Sequence, residues 1–406
     1  MKWPPVRRIA FRFGFLAAAL LLLPFPLDVI PQLGGLAELV TAPLHRLVDW
    51  FATGVLGLGE LPAEGNNSSD TASAYVQHLV IAILAALGAA LWSALDRRRT
   101  AHPRLAAGAI VVLRYYLAFT LLTYAFAKLT QFPVPPPGRL DQRVGDLSPM
   151  GILWTFMGSS RGYTMFAGFV EGLGGVLLLW RRTHLVGALV AMAAMSNVVA
   201  INLCYDVPVK LLSMQLLLIS AAILAPHARR LIGALLGRAT AEIPPRPRLA
   251  PRRERARLAL KALVLAAIAI HLHAMVDRSR QWPPRHELHG IWVVDRFVQD
   301  GVERPPLLTD GERWHKLYLS QLGAGVRPMT GPLVRLAATF DPAVRAIAIT
   351  GEAIEERWRY TLAESGALVI DGVFRGKPVH AELHREPEPL LVTRGFHWIS
   401  EGPFNR

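Results

Sequence analysis

Cysteine is almost absent from this sequence: Cys204 is the single one among 406 residues. No intramolecular disulfide can form, a dithiol mechanism within one chain is excluded, and so is any thiolate-rich metal or iron–sulfur site. Charge is scarce as well, at 18% of residues, and acid is scarcer than base, 30 against 44. No nucleotide-binding loop, zinc signature or catalytic-triad motif occurs. The net charge of +14 would suit nucleic acid. The arginines, however, sit mainly at the ends of apolar runs, where the positive-inside rule places them. Nucleic acid is therefore not an expected partner.

What the chain has in abundance is apolar surface, 52% of residues. Several stretches of about 20 residues carry almost no charge, long enough at roughly 1.5 Å per residue to cross a bilayer core. An α-helical membrane bundle is expected. Seven spans are read, with centres near Ala19, Leu84, Leu117, Glu171, Met192, Leu216 and Ala266. Every second connection is basic: the N-terminus with Arg7, Arg8 and Arg12, "DRRRTAHPR", Arg181-Arg182, and residues 226–256 with eight arginines against Glu242 and Glu254. Those connections belong in the cytoplasm of a bacterial inner-membrane protein. An odd number of spans then puts the N-terminus inside and everything after residue 278 outside, in the periplasm. The first span also has the basic start of a secretory signal, but no small-x-small cleavage site precedes Pro24.

Between the first two spans, Leu36, Leu39, Val40, Leu44, Leu47, Val48, Phe51 and Val55 recur with helical period. That is an amphipathic helix, lying in the outer interface or packed on another part of the protein. "LPAEGNNSSDTAS" reads as a polar loop, "PVPPPG" as a stiff extended hook, and "AEIPPRPRLAPRRERAR" as an exposed linker. The domain plan is two spans with the amphipathic helix (1–104), a four-helix bundle (105–226), a basic linker (227–256), a seventh span (257–277) and an outer domain (283–406).

Charges at membrane depth are costly unless paired or hydrated. In the third span Arg114, Leu121 and Lys128 are seven apart and share a face, with about 21 Å of rise from Arg114 to Lys128. Glu171 is central in the next, antiparallel span, among Gly168, Gly172, Gly174 and Gly175, which admit a close neighbour. Similar depth predicts a buried Arg114–Glu171 ion pair. The turn "NLCYDVPVK" then joins two spans. Asp206 is expected as the N-cap of the second, with Pro208 in its first turn and Lys210 in reach of Asp206. Tyr124, Lys128, Asn202, Tyr205, Asp206 and Lys210 fall at one outer level. They predict either a polar chamber that binds a headgroup or a capped rim at the lipid headgroups.

"LRYYLAFTLLTYAFAKL" followed by "GFVEGLGGVLLLWRRTHLVGALVAMAAM" resembles the DoxX-like integral membrane proteins, with Arg114, Lys128, Leu129, Gly168, Glu171, Gly174 and Gly175 on the pattern. The resemblance covers roughly residues 105–226 and implies a four-helix membrane bundle. Some DoxX-like proteins are subunits of quinone-linked oxidoreductases or of membrane oxidative-stress complexes, and the bundle of the vitamin K-dependent carboxylase is more distantly similar. The resemblance thus implies an accessory or ligand-binding subunit of a quinone- or lipid-linked membrane process. Its partners would be membrane lipid and a redox complex. No cofactor is evident in the residues themselves; a quinone is the one the resemblance implies. Two other readings stand beside it. One is a membrane-embedded enzyme with Lys128, Tyr124 or Asp206 in acid–base roles. The other is a transporter of lipid or a small molecule that delivers to the outer domain.

From Arg285 the pattern changes to period two. Some eight short strands punctuated by Gly, Asp and Pro predict an antiparallel barrel or sandwich, either filled by side chains or holding an apolar ligand. "LLVTRGFHWI" is read as the last strand. Gly290-Ile291-Trp292, with Arg394 in that strand, resembles the Gly-x-Trp and closing Arg of lipocalin-like barrels. His380 and His384 share a strand face, with His397 near by. His271 and His273 diverge on their helix and form no joint metal site.

Overall fold

The computed structural model describes residues 2–29, 33–59, 61, 69–130, 134–238, 251–281, 283–351 and 354–405. The centres of the polar loop and of the basic linker lie outside the described residues. The chain divides into two compact units. One comprises Met1–Phe132 with Gly162–Asp277, the other Pro133–Arg161 with Arg278–Arg406.

The first unit is helical. It contains α1 (Pro5–Leu21), α2 (Gly34–Trp50), α3 (Ala72–Leu95) and α4 (Pro103–Thr130). Next in the chain, α5 (Pro137–Leu140) and α6 (Pro149–Ser159) belong to the second unit. The helical unit resumes with α7 (Arg161–Leu179), α8 (His184–Cys204), α9 (Lys210–Leu224), α10 (Ala228–Leu235) and α11 (Pro251–Arg280). Among the described residues six helices are long and apolar enough to cross a membrane: α3, α4, α7, α8, Lys210–Leu235 and Lys261–Arg280. Each carries one of the expected centres.

The expected first span is α1, only 17 residues or about 25 Å long, with Arg7, Arg8 and Arg12 in its first half. It runs antiparallel to α3. Arg12 donates to the Asp96 carbonyl at 2.9 Å, and Leu16 lies against Gly88. Leu20 and Leu21 pack near Val80 and Ile81. The amphipathic helix is α2, continued by a π turn at Phe51–Val55. Its buried stripe of Leu44 and Val48, extended by Ala52, seats on Val76, Val80 and Ile81 at the start of α3. The bundle core is Leu117, Leu121, Leu178, Ala188, Ala191, Leu216 and Ile223, with Ile268 from α11.

The second unit is a closed barrel. Its strands are β1 (Gly290–Gln299), β2 (Val302–Glu303), β3 (Trp314–Ser320), β4 (Gly323–Pro328), β5 (Val334–Asp341), β6 (Ala346–Gly351), β7 (Ile354–Leu362), β8 (Leu368–Phe374) and β9 (Lys377–Arg385). All neighbours are antiparallel. Apart from the two-residue β2, eight strands follow in chain order, and β9 closes on β1 from Trp292–Arg385 to Gln299–Val379. Closure leaves no open edge. The interior is filled: Trp292, Trp314, Trp358, Phe297, Leu317, Ile347, Leu368 and Ile370 are all buried. Trp314 stands with ring centroids 5.0 Å from Trp358 and 5.2 Å from Phe374.

Four local expectations are corrected here. "LLVTRGFHWI" is no strand; Leu390–Thr393 form one helical turn, α12, after the barrel has closed. The arginine over Trp292 is Arg385 of β9, 4.7 Å from the ring, whereas Arg394 lies over Phe404 and against His397. The proline hook is not extended throughout, because Pro137 starts a helical turn, the one helix position where its missing N–H is harmless. Residues after the hook, expected within the bundle domain, group with the barrel instead: Asp141 accepts from Tyr318 Oη at 2.6 Å and from Lys316 Nζ at 2.9 Å. The strand histidines have carboxylate partners, His380 with Asp371 at 2.6 Å and His384 with Asp295 at 2.8 Å.

Candidate functional site: two polar clusters in the helix bundle

The register of α7 against α4 decides which charges meet. A Cβ built on Gly168 would lie 3.1 Å from Ala125 O and 3.1 Å from Lys128 Cβ; one on Gly172 would lie 3.2 Å from Ala125 Cβ; one on Gly175 would lie 2.9 Å from Leu122 and 3.1 Å from Ala118 O. The glycines therefore let the two helices touch backbone to backbone, as small residues do in membrane bundles. Gly174 and Gly187 make the same close approach between α7 and α8.

This contact sets Glu171 at the level of Ala125, one turn below Lys128. Lys128 Nζ donates to Glu171 Oε2 at 2.7 Å, with the side chains 19% and 5% exposed. The expected Arg114–Glu171 pair does not form. From Ala125 to Arg114 is about 17 Å of helix rise, beyond the reach of both side chains. Arg114 is buried, lies 5.0 Å from the ring of Tyr115, and its Nε has no hydrogen-bond partner among the described residues. Tyr124, one turn below Lys128 on α4, has its ring 5.6 Å from the ammonium. Lys128, Glu171 and Tyr124 form the first cluster.

The second cluster is the α8–α9 turn. Asn202 is buried and donates to Ser213 Oγ at 3.0 Å and to Val209 O at 3.3 Å, which pins the two helices together. Asp206 has φ +52°, a left-handed conformation that Asp tolerates better than most residues. Its carboxylate takes Lys210 Nζ at 2.8 Å, as the four-residue spacing predicts. It does not cap α9. Asp70, arriving from the segment before α3, accepts from Lys210 N at 2.8 Å and Leu211 N at 2.9 Å and lies 3.7 Å from Lys210 Nζ. Asp70 is 7% exposed where Asp206 is 83% exposed. Ser69 N adds a bond to Pro208 O at 3.0 Å. Sequence reasoning missed Asp70. It stands next to Thr71, whose hydroxyl caps α3 through Ala74 N, so a local capping signal masked a distant one. Tyr205 is exposed at the C-cap of α8.

The six residues expected to share a chamber thus fall into two sets. Among the described residues no hydrogen bond or ion pair joins Tyr124 and Lys128 to Asn202, Tyr205, Asp206 or Lys210. Asp70 and Asn202 hold the turn together. The first cluster differs: an ammonium in the last turn of α4 meets a carboxylate from the middle of α7, beside a phenol. Glu171 engages one ammonium hydrogen, and among the described residues no other side chain accepts from Lys128.

The chain is similar to an uncharacterised protein of Bacillus subtilis, YwoB: 37% identical over 122 residues, which make up 30% of this chain and 77% of the relative. No protein-family profile matches the chain. No solved structure matches it either.

Proposed function

We propose that this chain, which belongs to the same family as YwoB of Bacillus subtilis, is a ligand-binding or accessory membrane protein that holds the polar headgroup of a quinone or lipid at Lys128, Glu171 and Tyr124. The carrying observation is the 2.7 Å Lys128–Glu171 pair between two membrane helices brought together by glycines. Such pairs are costly to bury and, within a membrane, mark binding sites or pathways more often than plain packing does. Lys128 supplies positive charge with hydrogens to spare, Tyr124 a neutral donor, and Glu171 orients the ammonium. The same DoxX-like pattern, Arg114 and Lys128 before Gly168-x-x-Glu171-x-x-Gly174-Gly175, supports a role beside a quinone-linked or lipid-linked membrane complex.

The orientation we propose has the N-terminus in the cytoplasm and the barrel outside. Arg8 and Arg12 lie with Asp96, Arg99 and His102, so the first basic segment and the α3–α4 turn share one side. Meanwhile α2 seats at the opposite end of α3. On this reading α1 crosses as well, a seventh pass beside the six helices long and apolar enough to span. The functional test is mass spectrometry of lipids and quinones bound to wild-type protein and to Lys128→Met in mild detergent. The expected result is loss of one bound species from Lys128→Met and equally from the Lys128→Met/Glu171→Leu double variant, which leaves no unpaired buried charge and melts close to wild type. An unchanged profile would leave the ion pair a structural device.

A further inference from the structure

A cleft of about 190 Å3 opens at one end of the barrel, where β1 and β8 end and β3 and β9 begin. Its lining includes Gln299, Trp314, Val326, Phe374, Arg375 and Lys377. Two of these residues break the usual rule that buried polar atoms find partners. Among the described residues Gln299, 6% exposed, has no donor to its Oε1, and Trp314, 0% exposed, has no acceptor for its Nε1–H. The other two core tryptophans are satisfied, Trp292 by Leu288 O and Trp358 by Val373 O, both at 2.8 Å. The cleft thus pairs an orphan acceptor with an orphan donor, beside the apolar faces of Val326 and Phe374.

The rim adds a charge. Glu312 is neutralised by Arg304 at 2.7 Å and by Lys377 at 2.8 Å. Arg375 has no ion pair among the described residues and lies 5.4 Å from the ring of Phe374. It also holds φ +54° in the Arg375-Gly376 turn between β8 and β9. A two-residue hairpin needs that conformation, but Asn or Gly supplies it at less strain. Strain kept at a cleft by a cation is the pattern of a functional position.

We infer that this end of the barrel is a binding site for a small aromatic carboxylate that carries a hydroxyl. The ring would lie against Val326 and Phe374. A hydroxyl can both accept from the indole N–H and donate to the amide oxygen. The carboxylate would meet the Arg375 guanidinium. The volume, well under the roughly 300–1,000 Å3 of drug-sized sites, limits the occupant to about one ring.

The test is calorimetric titration of the full-length protein in detergent with 4-hydroxybenzoate, benzoate and phenol. Saturable binding of 4-hydroxybenzoate is expected, with benzoate and phenol each weaker by roughly tenfold, the worth of about one buried polar contact. Gln299→Leu should narrow the advantage of 4-hydroxybenzoate over benzoate, the hydroxyl keeping only the Trp314 N–H, without lowering the melting temperature, because it removes an unsatisfied acceptor. Arg375→Asn, which keeps the turn conformation, should weaken both carboxylates and leave phenol unchanged. Absence of saturable 4-hydroxybenzoate binding at millimolar concentration, as when a water fills the cleft, overturns the inference. So does binding that neither substitution alters.

Discussion

Lys128 Nζ meets Glu171 Oε2 at 2.7 Å across the α4–α7 contact, and Arg114 on the same face of α4 meets no carboxylate among the described residues. Glu171→Gln should therefore destabilise the protein by about 2–4 kcal/mol. That is below the roughly 3–5 kcal/mol of a fully buried broken pair, since Lys128 retains some solvent. Lys128→Met combined with Glu171→Leu should recover most of the loss. Thermal unfolding in detergent, read as a double-mutant cycle, checks this. Additive losses would contradict a direct pair.

The α8–α9 turn gives a second expectation. Asp70→Ala should cost about 1–2 kcal/mol as a lost helix cap. Asp206→Asn, which removes an exposed ion pair and keeps the left-handed conformation, should cost less than about 0.5 kcal/mol. Chemical denaturation of the two variants side by side decides the order. If Asp206 proves the more costly, the cap is misassigned.

How far the sequence reaches can be seen in these two sites. The spans were legible because a run of some 20 apolar residues has few other uses. The barrel was legible as period-two strands, because strands such as β5 and β9 bury one face and expose more of the other, although β3 and β4 are buried on both over part of their length. Depth was the weak point. Counting residues from the ends of Arg161–Leu179 placed Glu171 beside Arg114, but the register is set by Gly168, Gly172 and Gly175 touching Ala118, Leu122 and Ala125. The helices slide until backbones meet, and no count from a terminus records that. Asp70 was hidden for a different reason: its partner amides are 140 and 141 residues away. Arg385 was passed over for Arg394 because the exposed apolar tail after β9 also alternates, although no strand remains for it to pair with.

Histidine burial in the barrel unit sets a pH dependence. Burial, reinforced by Arg285, lowers His289 to about 4, and burial also lowers His286 and His315. The unfolded chain takes up these protons near the ordinary value of about 6.5, so folding stability falls as pH drops from there toward about 4. His380, raised by Asp371, acts in the opposite direction and softens the slope. Barrel unfolding followed by tryptophan fluorescence should show a falling midpoint over that window. His289→Gln should flatten it. A midpoint that rises on acidification would refute the assignment.

The proposed orientation is checked by labelling. In a Cys204→Ser background, a cysteine at Arg98 should react only with a permeant reagent on intact spheroplasts. A cysteine at Ser365, in the exposed β7–β8 turn, should react with an impermeant one. Reaction of both with the impermeant reagent would exclude an odd number of passes.

The docking of Asp141 on Lys316 and Tyr318 has a consequence for the order of synthesis. The acid leaves the ribosome 177 residues before the phenol that it accepts from. At roughly 5–20 residues per second that is a delay of about 9–35 s. During it the 134–161 segment exists without the surface it rests on, while four further membrane helices are made. Gly138, where an added Cβ would lie 3.5 Å from Tyr318 and 3.4 Å from Leu333, waits with it. The barrel is thus a split unit that translation delivers in two instalments. A fragment beginning at Arg278 would close its strands yet leave the Tyr318 hydroxyl without its acceptor and Lys316 with Glu386 alone.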